Sequence, residues 1–314
     1  MRELVVLGTA SQTPTRSRHH NGYFVRWDTE GLLFDPGEGT QRQLLMAGVS
    51  PWAITRILLT HLHGDHCLGL PGVVQRMSLE RVAHQVDLVF PRSGLPFVDR
   101  LLHASVFDDC TDLVRRPVAG PGTVVDPPPF TIVARRLEHR PETFGYRVEE
   151  PAGRTILRRR LDELGLEGPA IGELQRGTAV RVGTRMVSLD EVSVERPGQV
   201  LAFVMDTALC DAAFELAAGA DLLVCEATFA DADAALAAEF NHMTASQAGR
   251  LAAESGARRL VVTHFSQRYP DPEVLASEAR LLHPDVVVAR ELLRVPVPPR
   301  RAGGRDRAVG AVQR

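Results

Sequence analysis

Four side chains able to bind a metal ion, His61, His63, Asp65 and His66, fall within six residues, directly after the aliphatic run 54–60. Side chains of a strand alternate with period two, so His61 and His63 leave the strand end on the same side. Gly64 permits a sharp turn, which lets Asp65 and His66 face a neighbouring point in space. Imidazole nitrogen and carboxylate oxygen suit zinc and similar borderline cations, and this spacing suits two ions better than one. The competing reading is a polar loop whose histidines cluster by accident. It is weighed by whether other strands end on matching side chains.

Three others do. Residues 201–205 read as a strand ending at Asp206, 222–225 as a strand ending at Glu226, and 260–263 as a strand ending at His264. Ligand sites in layered α/β folds gather at such carboxyl ends. The same alternation of short aliphatic strands and helical patterns runs through the first half. Strands are expected at 4–7, 22–27, 32–35, 86–90, 113–118, 131–137 and 144–148, and helices at 40–47 and 70–81. Later helices are expected at 209–218, 245–254, with Thr244 as N-cap, and 274–282. Taken singly, Asp206 could cap a helix and Glu226 could face solvent.

Residues 151–197 break the pattern. They hold Arg158-Arg159-Arg160 and a spread of glycines without a convincing core helix, and read as an insertion or projecting arm. From 296 to 314 the proline- and arginine-rich sequence reads as a disordered basic tail. The expected organisation is therefore a catalytic domain over 1–295, with the arm inserted at 151–197, and the tail. At 314 residues the chain can bury a large core. No apolar stretch approaches membrane-spanning length and no signal-peptide pattern opens the chain, so a cytoplasmic location without membrane contact is expected. The cysteines (67, 110, 210 and 225) lack paired metal-binding spacing and are expected to be reduced. Cys67 and Cys225 lie near the proposed chemistry but read more simply as small buried hydrophobes. All 36 basic residues are arginine, and the net charge of −3 does not itself point to nucleic acid.

His61-Leu62-His63-Gly64-Asp65-His66 resembles the His-x-His-x-Asp-His signature of the metallo-β-lactamase superfamily. That resemblance implies an α/β fold, the αββα sandwich, with a two-metal site between its sheets. It further implies that His61, His63 and His139 hold one zinc and that Asp65, His66 and His264 hold the other, with Asp206 bridging. A narrower resemblance rests on Leu33-Phe34-Asp35-Pro36-Gly37-Glu38-Gly39-Thr40-Gln41, His66-Cys67-Leu68-Gly69-Leu70-Pro71-Gly72, Cys225-Glu226-Ala227-Thr228-Phe229 and Thr263-His264-Phe265-Ser266-Gln267-Arg268-Tyr269. These segments look like those of the ribonuclease Z family, the tRNA 3′-processing endonucleases, and the likeness runs from about residue 4 to 288.

The family resemblance implies an endoribonuclease that removes 3′ trailers from precursor tRNA. It would use two Zn²⁺ per subunit, with Mn²⁺ a substitute, and act as a homodimer. It implies that Asp65 orients and deprotonates the attacking water and that His242, polarised by Glu226, protonates the leaving oxygen. Gly168 and Pro169 resemble the family's glycine-proline arm segment, and with Arg158, Arg159 and Arg160 would grip the tRNA body. The chain departs from the family at Cys225 and His242-Met243-Thr244, and at the loop Pro14-Thr15-Arg16-Ser17-Arg18-His19. The last leaves cleavage position and CCA handling open. Two alternatives remain at this stage: a hydrolase of small substrates on the same fold (cyclic-nucleotide phosphodiesterase, arylsulfatase or lactonase) and an inactive RNA-binding scaffold. The metal ligands alone do not separate them, because function lives in the surrounding site.

Overall fold

The computed structural model describes residues 2–126 and 129–300, which divide into two compact units. The first takes the chain up to residue 149 and again from 200 to 298. It contains two seven-stranded sheets. One runs in the order Arg294–Pro296, Arg2–Gly8, Gly22–Trp27, Glu30–Phe34, Arg56–Leu58, Val86–Pro91, Leu113–Val118. The other runs Val286–Val288, Leu260–Thr263, Leu222–Glu226, Val200–Val204, Thr143–Glu149, Thr131–Leu137, Gly122–Val125.

Period-two alternation divides the first sheet's side chains between two cores. Leu4, Val6, Tyr23, Val25, Trp27 and Phe34 join one buried cluster with Ile132, Tyr146, Leu201 and Phe203 of the second sheet. Val5, Leu7, Phe24 and Leu33 belong to another, with Leu44, Leu70, Val73, Met77 and Val98 of the helices Thr40–Met46, Leu70–Leu79 and Leu95–Leu102. Between the sheets the Phe34 and Phe203 rings stack at 4.5 Å, and Tyr23 meets Phe203 edge-on at 5.3 Å. The helices Asp211–Ala217, Ala245–Ser255 and Glu273–Arg280 supply Ala213, Leu251 and Leu275 to the larger core. The layering is helix, sheet, sheet, helix, as the metallo-β-lactamase resemblance implies. No described helix is long and apolar enough to cross a membrane.

What positions the site is the run of parallel strands in each sheet. Glu30–Phe34, Arg56–Leu58 and Val86–Pro91 are parallel neighbours, as are Val200–Val204, Leu222–Glu226 and Leu260–Thr263. Their carboxyl ends carry Asp35, the segment 59–66, Asp206, Glu226 and His264.

The second unit, residues 150–199 with 299 and 300 among the described residues, differs from the expected arm without a convincing core helix. It holds the helices Arg158–Leu164 and Pro169–Gln175 and a small core of Leu161, Leu166, Leu174, Val187 and Val192. The apolar positions are few and spread over separate elements, so no long periodic stretch advertises them. Within this unit the strands Gly153–Ile156 and Ser193–Arg196 pair antiparallel. The expected disorder of the tail does not hold for its first residues. Pro296 pairs with Glu3 in the first sheet, and the Val297 amide donates to the Arg2 carbonyl at 3.0 Å. Val295 and Val297 supply the apolar anchors that hold this segment down. The remainder of the expected tail, from 301, lies outside the described residues.

Candidate metal centre and active site

The sandwich brings all seven expected ligands to one place. Asp206 lies between two triads and turns one oxygen to each. Its Oδ2 is 3.6 Å from His61 Nε2 and 3.7 Å from His139 Nε2. Its Oδ1 is 3.3 Å from His66 Nε2 and 3.2 Å from His264 Nε2. His63 joins the first group, with Nδ1 2.9 Å from His61 Nε2, and Asp65 joins the second, with Oδ2 3.3 Å from His66 Nε2. The candidate ligand atoms within each of the groups His61–His63–His139–Asp206 and Asp65–His66–His264 lie within 4.8 Å of one another.

Among the described residues, His139 Nε2, Asp206 Oδ1 and His264 Nε2 are buried with no hydrogen-bond partner. A buried polar atom left unpaired is costly and rare. Three of them converging here, with imidazole and carboxylate donors, fit divalent cations. Burial pushes the His61, His63 and His139 imidazoles below the ordinary histidine range, which favours the neutral form that a cation needs.

Four of the imidazoles are fixed from behind by an oxygen. Nδ1 of His61 meets Thr60 Oγ1 at 3.0 Å, and that of His66 meets Asp35 Oδ2 at 2.9 Å. Nδ1 of His264 meets Thr228 Oγ1 at 2.8 Å, and that of His139 meets the Asn241 carbonyl at 3.2 Å. Such partners set which nitrogen is free to ligate. Asp35, Asp206 and His264 each follow a strand end in the left-handed region, with φ of 44°, 45° and 58°. Local strain of that kind persists only where the surroundings enforce it. Gly37 has a related role: a Cβ there would lie 2.2 Å from the Asp65 carbonyl, so only glycine lets the 35–39 loop pack on the ligand loop.

Glu226 is fully buried and faces His242, not solvent. It accepts from His242 Nδ1 at 2.9 Å, the Thr207 amide at 2.6 Å, the Thr228 hydroxyl at 2.6 Å and the Met243 amide at 3.1 Å. Burial alone would raise this carboxyl, but the adjacent His242 charge and hydrogen bond lower it. Burial would likewise lower His242, and the Glu226 charge and hydrogen bond outweigh it, raising the imidazole to about 9. Met243 engages Glu226 through its backbone, so the unusual side chain there leaves this bond intact. Cys225 lies in the strand Leu222–Glu226, buried in the larger core, and Cys67 is buried with Sγ donating to the His63 carbonyl at 3.1 Å.

Asp65, Asp206, His63, His139 and His242 open onto a cavity of about 790 Å³. Arg140 and Arg268 line it and are exposed, with no acidic partner among the described residues. Asp65 Oδ2 also accepts the Gln12 amide at 2.8 Å.

The arm residues belong to the second unit. Arg158, Arg159 and Arg160 lie on the helix Arg158–Leu164, where they pair with Asp162 and Glu163 at 3.5, 2.8 and 3.0 Å. Arg154 pairs with Asp190 at 2.9 Å. These arginines are thus partly neutralised, because helical spacing brings Asp162 and Glu163 round to three of them and the short helix Leu189–Val192 brings Asp190 to Arg154. Gly168, at φ 55°, caps the helix that Pro169 opens. Sequence reasoning missed Asp35, Thr60 and Thr228 as supports. Asp35 carries the same signal as Asp206 and Glu226, an acid closing an aliphatic strand.

The metallo-β-lactamase superfamily model matches residues 16–264. A ribonuclease Z from Nocardia farcinica is 59% identical over 302 residues, covering 96% of this chain and 99% of that protein. One from Salinispora arenicola is 56% identical over 301 residues, covering 96% and 97%. The crystal structure of human tRNase Z, short form, superposes with a TM-score of 0.70 at 26% identity, covering 95% of this chain and all of that one. These likenesses decide against an inactive scaffold and a small-molecule hydrolase: the chain belongs to the ribonuclease Z family of endoribonucleases, within the metallo-β-lactamase superfamily.

Proposed function

We propose that the centre holds two zinc ions, with manganese able to substitute, and cuts precursor tRNA between the mature 3′ end and its trailer. The observation that carries this reading is Asp206, whose two oxygens face two separate ligand groups. His61, His63 and His139 would hold one ion and Asp65, His66 and His264 the other. Bound there, the ions would acidify water and offset the charge of a phosphodiester.

The chain's own residues supply the rest. Asp65, fixed by the Gln12 amide, orients the attacking water and takes its proton. His242, kept protonated by Glu226, gives its proton to the 3′-oxygen as the P–O3′ bond breaks. The products are a tRNA 3′-hydroxyl and a trailer with a 5′-phosphate. General acid help of this kind is worth roughly 10²–10⁴-fold. Arg140 and Arg268 meet the neighbouring phosphates, which in a chain without lysine fall to arginine.

In the second unit, Arg158, Arg159 and Arg160 with the Gly168-Pro169 turn grip the tRNA body. Their ion pairs are solvent-exposed, hence weak and readily exchanged for phosphate. The working form is a homodimer in the cytoplasm. Leu45, Met46, Trp52 and Leu79 support the dimer: they stand exposed on Thr40–Met46 and Pro51–Ala53 and on the helix Leu70–Leu79, against which both of those elements pack.

The test is incubation with a 3′-extended precursor tRNA, with and without encoded CCA, followed by mapping of both new ends. A released trailer with a 5′-phosphate is expected. No cleavage of either precursor in zinc or manganese overturns the reading.

A further inference from the structure

Phe240 is a large apolar surface in the site that the chemistry above leaves unused. It ends the helix Ala234–Phe240, lines the cavity, and is 52% exposed, whereas Phe229, which also lines it, is buried. Single exposed apolar side chains on a protein surface need no explanation. Leu68 is the other exposed apolar residue of the lining, but only Phe240 offers an exposed aromatic face among the histidines, carboxylates and amides there, and such a face calls for an occupant. The chain's course next to it says which one. After Phe240 the backbone turns at Asn241, in the left-handed region at φ 54°, and the Asn241 carbonyl accepts from His139 Nδ1 at 3.2 Å. The next residue is His242. The chain therefore brings the ring into the same cavity as the group that protonates the departing 3′-oxygen, two residues before it. The nucleoside bearing that oxygen is the last one of the tRNA body.

We infer that Phe240 stacks on the base of that nucleotide, immediately 5′ of the scissile bond; this rests on the reading of His242 as proton donor. Every base presents a π-face, so such a contact holds the nucleotide without selecting its identity. It would fix the leaving oxygen opposite His242 while the arginines act on phosphates. Phe240 is then a substrate-binding residue whose effect requires a base at one position.

The experiment pairs the variants F240A and F240W with precursors that carry either a normal or an abasic nucleotide at that position. F240A should lower kcat/KM on the normal precursor by roughly ten- to hundredfold, the usual worth of one stacked base. F240W should retain most of it. On the abasic precursor F240A should change little, since no base remains to stack. An equal loss on both precursors would make the ring a structural element and overturn the inference.

A precursor with 2-aminopurine at the same position, rapidly mixed with the metal-loaded full chain, reads stacking before trailer release. Quenching by wild type that F240A weakens supports the contact, even if no trailer is released, an outcome that would count only against the cleavage reading. Trailer release with quenching unchanged in F240A would overturn the stacking alone.

Discussion

Asp35 is the buried acid that supports both ligand groups at once, and replacing it with asparagine should weaken metal binding as well as folding. Its Oδ1 accepts the Thr60 amide at 2.7 Å, and its Oδ2 accepts the Thr60 hydroxyl at 2.7 Å and His66 Nδ1 at 2.9 Å. Thr60 Oγ1 in turn meets His61 Nδ1 at 3.0 Å. In the D35N variant only one acceptor oxygen remains. The Thr60 amide is fixed in the backbone and demands it, which leaves the new side-chain NH₂ facing the Thr60 hydroxyl and His66. The hydroxyl can rotate to accept. His66 can accept only by moving its proton to Nε2, the atom turned towards Asp65 and Asp206. A protonated Nε2 cannot ligate. Outer partners of this kind change metal affinity by roughly 10–100-fold, and one poorly matched buried bond costs a comparable amount, about 1–3 kcal/mol of folding stability. Competition with a chelator of known affinity measures the first, and denaturant unfolding in EDTA the second. Unchanged zinc affinity in D35N would refute the argument, even if the fold were weakened.

The remaining predictions concern roles within the site and the arm. H242A should lose most precursor cleavage while keeping its metals, whereas H63A and D206A should lose metal as well; metal analysis beside turnover separates the two classes, and wild-type turnover in H242A would remove it as proton donor. Glu226 raises His242, so the acid form persists at low pH and is lost as pH rises through its pKa. E226Q removes that support, and the alkaline limb of the kcat/KM profile should move to lower pH; a limb that stays in place or moves up contradicts the assignment. Deleting 158–177 should weaken precursor affinity but spare hydrolysis of bis(p-nitrophenyl) phosphate. Loss of both activities would mean that the second unit supports the fold and not the substrate.

Much of the candidate centre was legible in the sequence because the residues proposed as ligands sit where strands end. His61, Asp206 and His264 each close an aliphatic run, as does the supporting Glu226. Segments with few apolar residues were less legible. Val286–Val288 and Arg294–Pro296 are three-residue strands, too short for a period to show, and the latter pairs across nearly the whole chain with Glu3. The small core of the second unit escaped notice for the same reason. Thr60 and Thr228 were invisible as supports because nothing in a lone threonine tells that its hydroxyl will stand behind an imidazole. The paired state of Arg158, Arg159 and Arg160 needed the helix to bring Asp162 and Glu163 round to them.

The central claim is that one bridging aspartate divides seven ligands between two ions. Anomalous diffraction at the zinc edge from crystals of the zinc-loaded chain tests it most directly. The account predicts two peaks flanking Asp206, one among His61, His63 and His139 and the other among Asp65, His66 and His264. A single peak, or two peaks that do not share Asp206, would contradict it.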